Sequence, residues 1–344
     1  MALAELTDRE RMVLDAVIQT YVATAQPAGS RQLARRFSLG VSAATIRNTM
    51  SDLEEKGYLF HPHTSAGRVP TDVAYRVYVD SILPLQSFTT EERDRLAVQI
   101  SSGGSAVENI LRRAAQSLGI ITQELGVALG PRFDASIFER IELVRLASDR
   151  VLVVLSIRGG GVRTIYVDAR GEVADEALSE VSRVLNERLG GLTLREVRSS
   201  LALRLRDAPA GAAELINVFV EEGEQIFDAA FDSANDVVLG AASVLAEQPE
   251  FANVDSMRKL VALTETRHYL AEVLRKRSES SGVSITIGNE HGDPALENFT
   301  LVTAQYRVGS LNGVIGVIGP TRMPYDKIIS LVTHTSQLVT DLLD

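Results

Sequence analysis

Arg47 and Asn48 carry the side chains in this sequence best suited to a specific chemistry, the reading of base edges. Asn48 can pair with an adenine and Arg47 with a guanine or a phosphate. They lie in SAATIRNTMSDLEEKGYLF, residues 42–60, where Ile46, Met50 and Leu53 recur at spacings of four and three. That spacing gathers the three on one face of a helix beginning near Ala43 and capped by Ser42. The opposite face carries Ala44, Asn48 and Ser51, with Thr45 and Arg47 on its flanks. It is small and polar where a recognition helix slides into a major groove.

A second basic cluster precedes it. Gln26-Pro27-Ala28-Gly29 breaks a first helix, Leu6 to Ala23, for which Thr7 and Glu10 have capping-box spacing and Val13, Leu14, Val17, Ile18 and Tyr21 supply the buried stripe. Ser30 is then expected to cap a short helix through Phe37, bearing Arg31, Arg35 and Arg36 outward and packing Leu33, Ala34 and Phe37 on the third helix. After Gly57 come the short strand Tyr58-Leu59-Phe60 and a turn-rich loop from His61 to Pro70. Strand, loop and strand after a recognition helix make a wing. Such a wing is expected to set Arg68, the hydroxyls of Thr64 and Ser65, the backbone of Gly67, and His61 and His63 against phosphates or a minor groove. Thr71 or Asp72 caps a further helix whose Tyr75, Tyr78 and Val79 are core residues.

These residues resemble a family. GSRQLARRF, SAATIRN, LEEKGYL, PHTSAGRVPTD and YRVYVD are similar to the bacterial heat-inducible transcription repressor HrcA. Ala43, Thr49 and Val77 depart from the commonest family residues, and Ala43 is itself a good helix former. Toward the C-terminus the resemblance rests on Gly309, Gly313, Gly316 to Pro320, Arg322-Met323 and Tyr325. It implies a homodimer on an inverted-repeat operator, the CIRCE element upstream of chaperone operons, and a GroEL-type chaperonin that keeps the repressor active. Heat would divert the chaperonin to unfolded proteins and release the genes.

Composition sets bounds. The chain has 344 residues, 45% of them hydrophobic, no cysteine and a net charge of −10. Disulfides and thiolate chemistry are excluded. No apolar run reaches membrane-spanning length, and the N-terminus is not a signal peptide, so a cytoplasmic protein without membrane partners is expected. Residues 1–80 hold nine Lys or Arg and nine Asp or Glu, so the rest of the chain carries the acidic excess. Screening beyond roughly 8–10 Å keeps that excess from deciding what a local cluster of arginines can bind.

Beyond residue 80, the Pro, Thr-Thr-Glu-Glu and Ser-Gly-rich pieces read as a linker, 81–105. Three β-rich runs, 137–146, 151–157 and 162–167, suggest an antiparallel meander; 176–190, 194–205, 213–231, 237–246 and 255–278 are mostly helical; strands return at 283–287, 301–306 and 314–318, before a helix from 325 to 343. Helix and strand in this order give a multidomain α+β protein. The resemblance implies an N-terminal winged helix-turn-helix at 1–80, a discontinuous GAF-like domain at 106–172 and 252–344, and an inserted helical dimerisation domain at 173–251.

Enzyme chemistry finds little footing. His61 and His63 lack a third metal ligand, and His63, Ser65 and Asp72 lack an oxyanion-hole motif. Gly309, Gly313, Gly316 and Gly319 sit in a Val-Ile run without a following Lys-Ser or Lys-Thr, so hairpin and strand packing explain them better than a phosphate loop. No cofactor or metal is expected. A winged-helix regulator whose GAF-like domain answers to a small molecule is the alternative.

Overall fold

The computed structural model describes residues 5–63, 67–82, 96–100, 107–131, 136–147, 150–158, 161–168, 174–206, 237–278, 282–309 and 311–343. Contacts divide the chain into two compact units. One comprises Met1–Leu129, Val238–Tyr306 and Val314–Leu342; the other comprises Gly130–Val237, Arg307–Gly313 and Leu343–Asp344.

The first unit opens with three helices, α1 (Asp8–Thr24), α2 (Ser30–Arg36) and α3 (Ala43–Glu55). Thr7 caps α1 in a full capping box, its side chain accepting from Glu10 N–H while the Glu10 carboxylate takes the Thr7 N–H at 2.8 Å. The same carboxylate accepts from Lys56 Nζ at 2.7 Å, tying the start of α1 to the end of α3. At α2 the expectation shifts by one residue: Gly29 is the N-cap and Ser30 the first helical residue, because Gln32 reaches back to the Gly29 N–H at 3.4 Å. Ser42 caps α3, accepting from Thr45 N–H at 3.1 Å. The core of the three helices includes Val13, Leu14, Val17, Ile18, Leu33, Ile46, Met50 and Leu53. Ala34, expected inside, is exposed.

The wing is β1 (Leu59–Phe60) paired antiparallel with β2 (Val69–Pro70), Phe60 opposite Val69. Thr71 rather than Asp72 starts α4 (Asp72–Ile82): its hydroxyl donates to the carbonyls of Gly57 and Tyr58 and accepts from Ala74 N–H. Within 81–105 only Ser81, Ile82 and the helical turn 96–100 are described, and Leu96 and Ile100 are buried.

The body of this unit begins with α5 (Val107–Thr122) and β3 (Leu125–Leu129), an entirely buried strand absent from the expected elements. Gly126 explains how close the two lie, since a Cβ there would meet the Ala115 carbonyl oxygen at 1.8 Å. The chain then leaves for the second unit.

That unit carries an antiparallel sheet, β4 (Phe138–Ala147), β5 (Arg150–Ile157) and β6 (Gly161–Asp168), with β5 in the middle. Helices α6 (Asp175–Leu189) and α7 (Leu194–Leu205) cover one face. Phe138, Ile141, Val151, Val153, Leu155 and Ile157 interlock there with Val181, Leu185, Val197 and Leu201. Asn186 stitches helix to sheet by accepting from Ile141 N–H and donating to its carbonyl, at 2.8 and 2.9 Å. The boundaries expected from sequence are therefore displaced. The meander belongs with the helices that follow it, and the inserted part is α+β instead of helical, because a half-apolar sheet buries its inner face on the nearest amphipathic helices. The helix expected at 213–231 lies outside the described residues.

The chain re-enters the body at β7 (Val237–Leu239), a strand in a stretch read from sequence as helical; only Ser243–Ala246 forms a helical turn. Two helices, α8 (Val254–Glu265) and α9 (Arg267–Arg275), replace one expected long helix. Strands β8 (Val283–Ile287), β9 (Phe299–Val308) and β10 (Leu311–Pro320) and the last helix, α10 (Tyr325–Leu343), complete the fold. The sheet order is β7-β3-β10-β9-β8. Gly309 turns with φ +55°, and Gly316 lets β10 approach β9 so closely that a Cβ would lie 2.1 Å from the Val302 oxygen.

Glu124, between α5 and β3, is 3% exposed, and burial pushes its carboxyl well above the usual range despite a hydrogen bond from Gln248. The unfolded chain gives up this proton first, so stability falls as pH rises from the ordinary carboxyl value through the raised one. Glu124→Gln is expected to melt with the wild type at about pH 4 and above it at about pH 8. Thermal unfolding across pH checks this; a variant stabilised equally at both pH values rules out the titration as the cause.

Candidate nucleic-acid interface

α3 presents the expected division. Ile46, Thr49, Met50 and Leu53 are buried, and Thr49 hides its hydroxyl by donating to the Thr45 carbonyl. Ser42, Ala44, Arg47 and Asn48 are exposed, while Thr45 and Ser51 are half-buried. Among the described residues the side chains of Arg47 and Asn48 have no partner, so both remain available to a ligand. On α2, Arg31, Arg35 and Arg36 are exposed and Ser30 is half-buried; the Arg36 guanidinium sits 5.5 Å from the Phe37 ring centroid.

The wing departs from expectation. Arg68 does not stand free: its guanidinium meets the Glu54 carboxylate at 2.7 Å, and its side chain is only 14% exposed. Its backbone exchanges two 2.9 Å hydrogen bonds with Ala28, which adds a bridge alongside β2. Gly67 is small for an internal reason, because a Cβ would fall 2.2 Å from the Ala28 oxygen. His61 and His63 are exposed, and His61 Nδ1 lies 2.6 Å from Glu54 Oε1. Thr64 and Ser65 lie outside the described residues. Asp72 turns to Asn289, accepting from its backbone and side-chain N–H groups at 3.0 and 2.9 Å.

Known proteins point the same way. A family model described as the HrcA protein C terminal domain matches residues 108–329. A heat-inducible transcription repressor HrcA from Chlorobium phaeobacteroides (strain BS1) is 42% identical over 355 residues, covering 100% of both chains. The chain belongs to the HrcA family. Another HrcA repressor, from Geobacter sulfurreducens, is 38% identical and covers 99% of each chain. A crystal structure described only as a hypothetical protein has the same fold, with a TM-score of 0.67 at 21% identity over 98% of this chain and 99% of that one.

In this HrcA-family chain, sequence patterns missed the two arginines that fasten the N-terminal helices to the body. Arg76 of α4 donates to Glu290 at 2.7 and 2.5 Å and to the Ile285 carbonyl at 2.8 Å. Arg322 pairs with Glu250 and donates to the carbonyl of Val22, in α1, at 2.9 Å. Tyr75 packs on Tyr325 with ring centroids 5.7 Å apart. Arg322 and Glu250 are 72 positions apart and the other pairs more than 200, separations that no local spacing rule can reveal.

Proposed function

We propose that this chain represses heat-shock transcription by binding, as a homodimer, an inverted-repeat operator of the CIRCE type upstream of chaperone operons. The observation that carries this is the pair Arg47 and Asn48, without partners among the described residues, on the outer face of a capped helix beside a wing. Exposed Arg31, Arg35 and Arg36 supply phosphate contacts, which set register without reading sequence. A twofold repressor suits an inverted repeat, because each reader meets an equivalent arm. A GroEL-type chaperonin favours the binding-competent state and so sets its population by mass action. Among the described residues no helix is long and apolar enough to cross a membrane, in keeping with a cytoplasmic regulator.

A mobility-shift titration on a CIRCE-type repeat and on random duplex, across salt and with and without chaperonin, tests the reading. Specific retention that chaperonin enhances is expected. Equal affinity for both duplexes contradicts it.

One feature favours a second reading, a regulator released by a small molecule. A cleft of about 860 Å³ runs along the wing root, lined by Phe60, Val73, Arg76, Phe251, Glu290 and Asn298 among others. Full operator binding without chaperonin, lost on adding a metabolite, selects that alternative.

A further inference from the structure

The two residues at the mouth of the wing loop share one partner. His61 follows β1 directly and Arg68 precedes β2 directly, so the two flank the end of the ladder at the Phe60–Val69 pair. Glu54, in the last turn of α3, receives both: Oε1 lies 2.6 Å from His61 Nδ1 and Oε2 lies 2.7 Å from Arg68 Nη2. A carboxylate can only accept, so Nδ1 carries the hydrogen of that bond. On its other side the wing root is bound to Ala28 by the paired backbone hydrogen bonds of Arg68.

We propose that Glu54 is a positioning residue for DNA reading, its carboxylate holding both feet of the wing against the recognition helix so that the two enter DNA in a fixed relation. This rests on the repressor reading and deepens it, since it assigns Arg68 to the clamp and leaves phosphate contact to other residues. An ion pair at an open surface contributes little, but this one is partly enclosed. Glu54 is 30% exposed, Arg68 14%, and the Arg68 Nε is buried without a partner among the described residues. Arg68 cannot turn to a phosphate without uncovering the Glu54 charge beside the DNA backbone, which repels it.

That repulsion gives the test its sign. Glu54→Ala, Arg68→Ala and the double variant of the full chain are titrated with CIRCE-type operator and random duplex, with Glu54→Gln as a variant of unchanged shape. With a clamp, Glu54→Ala weakens operator binding about tenfold and random binding much less, and the double variant is no worse than either single one. Glu54→Gln, which keeps the acceptor but not the charge, falls between. Were Arg68 a phosphate contact that Glu54 restrains, Glu54→Ala would bind both duplexes more tightly and Arg68→Ala would lower the salt slope by about one; that result overturns the proposal. Hydrogen exchange of the Arg68 amide needs no DNA and is expected to accelerate in Glu54→Ala. If it accelerates while the wild type ignores the operator, the repressor reading has failed and the clamp has no DNA role. If it does not accelerate, the clamp itself is refuted.

Discussion

Tyr166→Glu is expected to leave the protein monomeric and to weaken operator binding about a hundredfold or more, the advantage two linked readers have over one. The reason lies on the open face of the second unit's sheet. Alternation turns Val151, Val153, Leu155 and Ile157 inward to α6 and α7, and the outward positions of a solvated sheet should then be polar. Several are not: Leu152 stands opposite both Val144 and Tyr166, and Val162 lies opposite Ser156. Tyr166 is 69% exposed and Val162 59%. An apolar row of this kind suits the homodimer proposed above, in which a second copy related by a twofold axis would cover it with itself. A carboxylate at Tyr166 would lose its hydration in such an interface. Sedimentation equilibrium and operator anisotropy check the two halves together. A Tyr166→Glu protein that stays dimeric at micromolar concentration removes this face from consideration.

What could be read from the sequence was what local rules determine. Thr7 and Glu10 announced their capping box, Ser42 announced the start of α3, and the four-three spacing of Ile46, Met50 and Leu53 fixed which face is buried. Gly316 was placed correctly in tight strand packing. The failures have physical causes as well. β3 is buried along its whole length, so it lacks the alternation that marks a half-solvated strand, and β7 is three residues of an apolar run that fits a helix equally well. The insertion boundary depended on which helices cover the meander, which is a tertiary choice. Arg68 looked like a phosphate ligand because loop arginines often are. Its pairing with Glu54 requires knowing that the wing folds back on the end of α3, and no spacing encodes that.

The same exposed helix face sets the second large effect. Arg47→Ala and Asn48→Ala are each expected to lose about 1–3 kcal/mol on the operator, and together to bring specific binding close to the level of random duplex. Both side chains are exposed and unpartnered among the described residues, so removing them uncovers no cavity and breaks no internal bond; thermal stability should stay near that of the wild type. The loss then belongs to base contacts alone. Arg35→Ala and Arg36→Ala provide the contrast, because contacts to phosphate carry no sequence information. They should weaken operator and random duplex alike and reduce the salt slope by about one for each phosphate given up. Anisotropy titrations of the four variants on both duplexes, at several salt concentrations, separate the two patterns. Should Arg47→Ala lower both affinities equally and flatten the salt dependence, Arg47 holds backbone instead of bases, and Asn48 alone remains to read sequence on this part of α3.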